Sequence, residues 1–277
     1  MKLDLLLGLI GDNIASSRSP RLHVLAGALF GLVVRYDRLV PQQMGLAFDA
    51  VFEHARAGGY RGLNITYPYK ERVVPKVAIS DPLVAAMGAV NTVLFTDDGA
   101  QGFNTDYSGF IAAYRAVRGA ALPGVTCLIG TGGVGRAIAF GLAALGVRHL
   151  RLMDLIRPKA EALATALRGA EPDLEVEVFD TAAEAAAGAE GLVNGTPVGM
   201  VGHDGTVFAA PAFADALWAF DAVYTPPQTA FLRDAAEAGL ALVTGEALFF
   251  WQGVHGWKLF SGRDVDQAAL REGLAEG

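Results

Sequence analysis

Cysteine is nearly missing from this chain of 277 residues: Cys127 is the only one. No disulfide framework and no cysteine-based metal cluster can be built, and a reducing, cytoplasmic setting is expected. Cys127 sits in an apolar run and reads as a small core residue. Charge is also scarce, at 18% of residues with a net charge of −7 and no long basic run. That balance argues against nucleic acid or an anionic membrane surface as a partner. A small anionic ligand would need local donors to hold it. The longest uncharged apolar runs, Val24–Val34 and Ala137–Val147, fall well short of the roughly 20 residues of a membrane span. Met1-Lys-Leu-Asp-Leu-Leu-Leu lacks the apolar core and cleavage site of a secretory signal. No internal repeat, low-complexity linker or metal-ligand spacing appears.

What is present is apolar bulk and glycine. A hydrophobic share of 52% describes a well-packed globular protein, and the length suits two domains. The stretch around which the chain is organised runs from Cys127 to Gly135. The apolar segment Val125–Ile129 breaks into Gly130-Thr131-Gly132-Gly133-Val134-Gly135, and the Ala-rich Arg136–Leu145 follows at once. Strand, glycine turn and helix are the context that a dinucleotide-binding Gly-x-Gly-x-x-Gly requires. Gly130 allows the tight turn, Gly132 the close approach of a pyrophosphate, and Gly135 the packing of helix on strand. Free N–H groups of the helix's first turn would face the phosphates. With 34 glycines in the chain, a tight turn that binds nothing is the alternative.

In chain order, Leu5–Gly11 reads as a buried strand, followed by a loop with Ser16, Ser17 and Ser19. Pro20 opens a helix for which Ser19 is the expected N-cap. Ser17 has no capping role at that spacing, which favours ligand contact. Val33–Val40 is a second strand, Gln42–Ala57 a helix, and Gly62–Thr66 a third strand with polar Asn64 and Thr66 on one side. Lys70 precedes a helix running toward Ala78; most lysines are solvated surface residues, and spacing alone favours that reading over a catalytic one. Gly88–Phe95 is a fourth strand with Asn91 embedded in it. Gly102-Phe-Asn-Thr-Asp106 follows. Asn and Asp are disfavoured inside strands, so their repetition at strand ends points to a shared polar cleft. After a helix over 107–118, strands and helices alternate from Val125 to Tyr224, which argues a parallel, doubly wound sheet. The aromatic-rich end, 245–277, is helical and is expected to pack back onto the first domain. The fold class is α/β in two domains: residues 1–106, completed by 245–277, and a Rossmann domain over 107–244.

The second strand of the glycine unit ends in Asp154, nineteen positions beyond Gly135. An acid there accepts hydrogen bonds from adenosine ribose hydroxyls and repels a 2′-phosphate, favouring NAD over NADP. Arg157 lies close by, where it could flank the adenine or point into solvent.

Seven short motifs occur in one order. They are Ser17-Arg-Ser19-Pro20 with His23, Asn64-Ile-Thr66-Tyr-Pro68-Tyr-Lys70, Gly88–Thr92, Asn104-Thr-Asp106, Asn194-Gly-Thr196-Pro-Val-Gly199-Met200, Tyr224-Thr-Pro226-Pro-Gln-Thr229 and a closing Gln252. Together they resemble the shikimate dehydrogenase family, including its NAD-linked quinate/shikimate branch, over nearly the whole chain. Departures are Val24 for the usual Asn, Gly195 for Ala, Trp257 for Phe, and Asp154-Leu155-Ile156 where NADP-linked members carry Asn-Arg-Thr.

The resemblance implies reversible hydride transfer between a nicotinamide and the ring carbon bearing a secondary hydroxyl of shikimate or quinate. It implies Lys70 and Asp106 as the catalytic pair, with Asn64, Thr66, Asn91 and Gln252 on the ring hydroxyls. Ser17, Ser19 and Tyr224 are implied for the substrate carboxylate, so neutral donors replace a basic patch. Serine at position 19, where some quinate-using relatives carry threonine, mildly favours shikimate. Thr196 and Gly245 join the glycine loop, Asp154 and Arg157 as expected cofactor contacts. The expected partner is a polyhydroxylated carboxylate, and the chain would act as a monomer or homodimer. The alternatives are an NADP-linked biosynthetic shikimate dehydrogenase, an aminoshikimate dehydrogenase, or a non-catalytic NAD- or quinate-sensing module.

Overall fold

The structure, a computed structural model, describes residues 2–276. Two compact units divide the chain, Met1–Thr105 with Gly253–Gly277 and Asp106–Gln252.

In the first unit the elements are β1 (Leu5–Ile10), α1 (Ser19–Ala28), β2 (Val34–Leu39), α2 (Pro41–Met44), α3 (Phe48–Ala57), β3 (Gly62–Ile65), a 3₁₀ turn over Val74–Lys76, α4 (Pro82–Met87), β4 (Thr92–Thr96) and β5 (Gly99–Phe103). The sheet order is β2-β1-β3-β4-β5. The first three strands run parallel, and β4 and β5 pair antiparallel as a hairpin. Leu7, Ile10, Leu63 and Val93 are fully or almost fully buried on this sheet. Apolar runs this continuous suit strands covered on both faces.

Several local expectations give way here. The stretch expected as one helix from Gln42 splits into α2 and α3, because Gly45 turns left-handed at φ +65° and ends the first turn. The chain after Lys70 makes turns and a 3₁₀ segment instead of an α-helix; Pro75 lies inside that segment. Helix α4, which periodicity did not reveal, is capped by Asp81 accepting from the N–H groups of Leu83 and Val84, and it ends at left-handed Gly88. Strand β4 therefore begins at Thr92, and Asn91 stands just before it.

Helix α5 (Thr105–Arg118) opens the second unit, followed by β6 (Thr126–Ile129), α6 (Gly133–Ala144), β7 (His149–Met153), α7 (Arg157–Ala170), β8 (Glu175–Val178), α8 (Ala182–Ala186), β9 (Gly191–Asn194), β10 (Trp218–Asp221), α9 (Ala230–Glu237) and β11 (Ala241–Thr244). Helices α10 (Gly245–Ser261) and α11 (Gln267–Ala275) complete the described chain, and the division between units falls inside α10. All six strands of this sheet are parallel, in the order β11-β10-β9-β6-β7-β8. Read from the other edge, that is the doubly wound order in which the winding reverses between β6 and β9. The last helix–strand pair, α9 and β11, lies beyond the alternating pattern that ends at Tyr224. Trp218 is fully buried against Gly191, and its indole N–H donates to the Pro123 carbonyl at 2.9 Å. Replacing such a side chain with alanine typically costs about 3–5 kcal/mol.

Candidate active site

In open parallel sheets, ligands bind beyond the carboxyl ends of the strands where the winding reverses. The glycine loop occupies that position, between β6 and α6. Gly130 is left-handed (φ +91°), and a Cβ on it would lie 2.5 Å from the Thr196 methyl. A Cβ on Gly135 would collide with the Gly130 carbonyl oxygen. Gly132, the N-cap of α6, has open space where a Cβ would be. The tight turn thus falls to Gly130 and the close packing to Gly135, while Gly132 is left with open space. Thr131 and Gly132 lie just ahead of α6, and Gly133 and Val134 open its first turn, whose N–H groups have no partner within the helix.

Asp154 follows β7 directly and reaches this loop. Its Oδ2 accepts from the Thr131 N–H at 2.7 Å and the Thr131 hydroxyl at 2.9 Å, and its Oδ1 from the Ile156 N–H at 2.9 Å. Burial pushes its pKa up, but these hydrogen bonds and nearby Lys159 outweigh burial and hold it below the ordinary carboxylate value. A carboxylate charged at neutral pH therefore stands beside the glycine turn. Arg157, at the start of α7, is paired with Glu161 at 2.8 Å and with Asp180. Thr196 folds back on Asn194, whose Oδ1 accepts from its N–H at 3.0 Å and its hydroxyl at 2.7 Å. At Gly245, a Cβ would lie 2.6 Å from the Ala222 carbonyl oxygen. That glycine has a packing reason visible only in three dimensions. These residues make a set able to hold a dinucleotide: an open glycine turn, a helix amino end and an anchored carboxylate.

Also in the second unit, Tyr224 stacks on Phe249, with ring centroids 5.6 Å apart, and Gln252 donates to the Phe249 carbonyl at 2.9 Å. Phe249 thereby brings together two residues that are 28 positions apart in sequence. Asp106 lies buried in the first turn of α5, where the helix dipole favours a carboxylate.

The first unit holds Ser17, Ser19, Asn64, Thr66, Lys70 and Asn91. Ser19 is not the N-cap of α1: that position is Arg18, and no side chain caps the helix. Ser17, to which spacing assigned no capping part, instead accepts from the Ser19 N–H at 3.3 Å. The Ser19 side chain favours the ionised form of Tyr36, against the stronger effect of burial. Asn64 accepts from the Tyr36 hydroxyl at 2.8 Å and donates to Thr92 at 3.2 Å. Thr92 donates to Asn91 at 2.9 Å, and Asn91 exchanges bonds with Thr105, donating to its hydroxyl at 3.0 Å and accepting from its N–H at 2.7 Å. One polar chain therefore links Asn64 and Asn91, running from Tyr36 through Thr92 to Thr105. Thr66 anchors its N–H on Ile10 at 2.9 Å and leaves no room for a side chain on Gly11. Lys70 is half-buried, and its carbonyl accepts from the Val90 N–H at 2.9 Å.

The residues missed by sequence reasoning are the connectors. Tyr36 lies on β2 with no motif around it. His23 is buried and stacked on Tyr36, with centroids 5.3 Å apart, and burial lowers its pKa to about 4. Thr92 and Thr105 stand inside motifs, and their hydroxyls were the available signal.

Comparison with known proteins adds an independent finding. The model of the shikimate dehydrogenase substrate binding domain matches residues 9–93. The quinate/shikimate dehydrogenase (NAD(+)) of Corynebacterium efficiens is 37% identical over 273 residues, 96% of this chain and 96% of that protein. The shikimate dehydrogenase (NADP(+)) of Streptomyces avermitilis is likewise 37% identical, over 98% of this chain and 95% of its own length. Among solved structures, the quinate dehydrogenase from Corynebacterium glutamicum in complex with NAD superposes with a TM-score of 0.92 at 33% identity, covering both chains completely.

Proposed function

The chain belongs to the shikimate dehydrogenase family, and from that premise we propose that its reaction is NAD-dependent oxidation of a ring CH–OH of shikimate or quinate to the ketone, and the reverse. It is an oxidoreductase of the quinate/shikimate type. The observation carrying the cofactor choice is the charged Asp154 tied to Thr131 of the glycine loop. A fixed carboxylate there accepts from ribose hydroxyls and opposes a 2′-phosphate.

In this reading the second unit holds the dinucleotide through Gly130–Gly135, Asp154, Thr196 and Gly245, with Arg157 flanking the adenine. The first unit supplies most of the substrate contacts. Bound nicotinamide supplies the hydride acceptor. Lys70 takes the hydroxyl proton at Nζ during oxidation and returns it during reduction, and the Asp106 carboxylate orients that amine. Asn64, Thr66, Asn91 and Gln252 bond the ring hydroxyls, while Ser17, Ser19 and Tyr224 bind the carboxylate. Such neutral donors suit an anionic substrate in a chain of net charge −7. None of the helices, among the described residues, is long and apolar enough to cross a membrane. The lone buried Cys127 fits a reducing, cytoplasmic compartment.

Lys70→Ala tests the assignment. Turnover should fall roughly 10²–10⁴-fold, the usual share of general acid–base catalysis, with NAD affinity and melting temperature unchanged. Near-normal turnover would remove Lys70 from the chemistry.

A further inference from the structure

Asp221 is a fully buried acid at the carboxyl end of β10, and no part of the proposed chemistry uses it. No cation pairs with it among the described residues; three hydrogen-bond donors surround it instead. Its Oδ1 accepts from the Asn194 side-chain amide at 2.9 Å and the Val223 N–H at 3.0 Å, and its Oδ2 from the Thr229 hydroxyl at 2.5 Å. Asp221 and Asn194 are register partners on the adjacent strands β10 and β9. A buried carboxyl without a counter-charge is costly, and burial raises its pKa despite these bonds.

The three donors connect two separate loops. Val223 and Thr229 bracket the segment Tyr224–Gln228, so one carboxylate pins both ends of the loop that carries Tyr224. Asn194 carries the other arm. Its Oδ1 accepts from the Thr196 N–H and hydroxyl, and its Nδ2 also donates to the Val198 carbonyl at 3.0 Å. Thr229 has only one way to bond. Its oxygen accepts from the Leu232 N–H as the cap of α9, so its proton goes to Asp221. An acceptor-only group fits this site, because every neighbour presents a proton.

We propose that Asp221 is a positioning residue that holds the cofactor-side Thr196 loop and the substrate-side Tyr224 loop in one fixed arrangement. The proposal rests on the roles given above to Thr196 and Tyr224.

The test uses the full chain and three variants. Asp221→Asn keeps the shape but sets an amide against donors. It should raise both the NAD dissociation constant and the substrate KM about tenfold, as expected when buried partners are left unsatisfied. Thr229→Val cuts the arm after Tyr224 together with the cap of α9, leaves the Asn194 arm in place, and should raise substrate KM with NAD affinity unchanged. Thr229→Ser keeps the hydroxyl and should restore the wild-type KM. Circular dichroism confirms that each variant is folded at the assay temperature. A folded Asp221→Asn protein with wild-type NAD affinity and KM, differing only in melting temperature, would overturn the proposal. Failure of the functional reading shows separately, as a wild-type protein that turns over neither shikimate nor quinate. NAD titration of Asp221→Asn then still decides the cofactor-side arm.

Discussion

His23 sits with its imidazole flat against Tyr36 and edge-on to Phe260. Burial lowers its pKa from 6.5 to about 4, with a hydrogen bond to Asn64 restoring part of the drop. The unfolded chain therefore takes up a proton below pH 6.5 that the folded chain refuses until about pH 4. Stability contributed by the neutral ring is present above that window and is lost as pH falls through it. At about 1.4 kcal/mol per pKa unit, the loss reaches about 3 kcal/mol. Urea unfolding at pH 7 and pH 4.5 should show His23→Phe losing about 2–3 kcal/mol less than the wild type. Equal losses would mean that His23 does not resist protonation. Asp154 offers a second test at this scale. Leu155 beside it is 94% exposed and can take an arginine without repacking. Asp154→Ser with Leu155→Arg should move the ratio of NAD to NADP specificity constants toward NADP by roughly 10–100-fold, since it removes a repulsion and adds a cation. An unmoved ratio would contradict the ribose contact. Single residues such as Asp154 were legible in sequence because their chemistry follows from position after a strand. Tyr36 and Asp221 were not, because what distinguishes them is the company they keep across strands.

Elements were readable where a strong pattern met a firm stop. The β6–glycine–α6 unit showed itself because apolar strand, glycines and Ala-rich helix are contiguous. A methyl group on Gly135 has nowhere to go except into the Gly130 carbonyl, which is backbone and cannot rotate away. Gly135→Ala should therefore disorder the loop and weaken NAD binding at least about tenfold, at a stability cost of about 1–3 kcal/mol. Calorimetric NAD titration and thermal melting check both, and wild-type affinity would show that the turn tolerates the methyl. Weaker patterns misled. Gln42–Ala57 carries helical periodicity throughout, but Gly45 breaks it with a left-handed residue that periodicity does not register. Helix α4 is only six residues long, too short for a repeat, and its clues are the stops around it: the Asp81 cap, Pro82 at its start and Gly88 at its end. Pro20 makes Ser19 the expected cap, yet the N-cap of α1 is Arg18 and no side chain fills the role. Local rules rank candidates; tertiary partners choose among them.

At the scale of the whole molecule, the alternation of strands and helices from Val125 onward was enough to read a parallel, doubly wound sheet. The mixed sheet of the first unit was harder to anticipate, since three parallel strands and an antiparallel hairpin share one apolar character. The proposed function rests at this scale on an open glycine turn and an anchored acid in one unit, and on a hydrogen-bonded row of tyrosine, asparagine and threonine side chains in the other. The most direct test is the initial rate of shikimate and of quinate oxidation by the purified protein, followed at 340 nm with NAD and with NADP. Turnover of at least one substrate, with a specificity constant for NAD at least about tenfold above that for NADP, is the predicted result, a difference of about 1.4 kcal/mol. Equal or better use of NADP, or no turnover of either substrate, would contradict it.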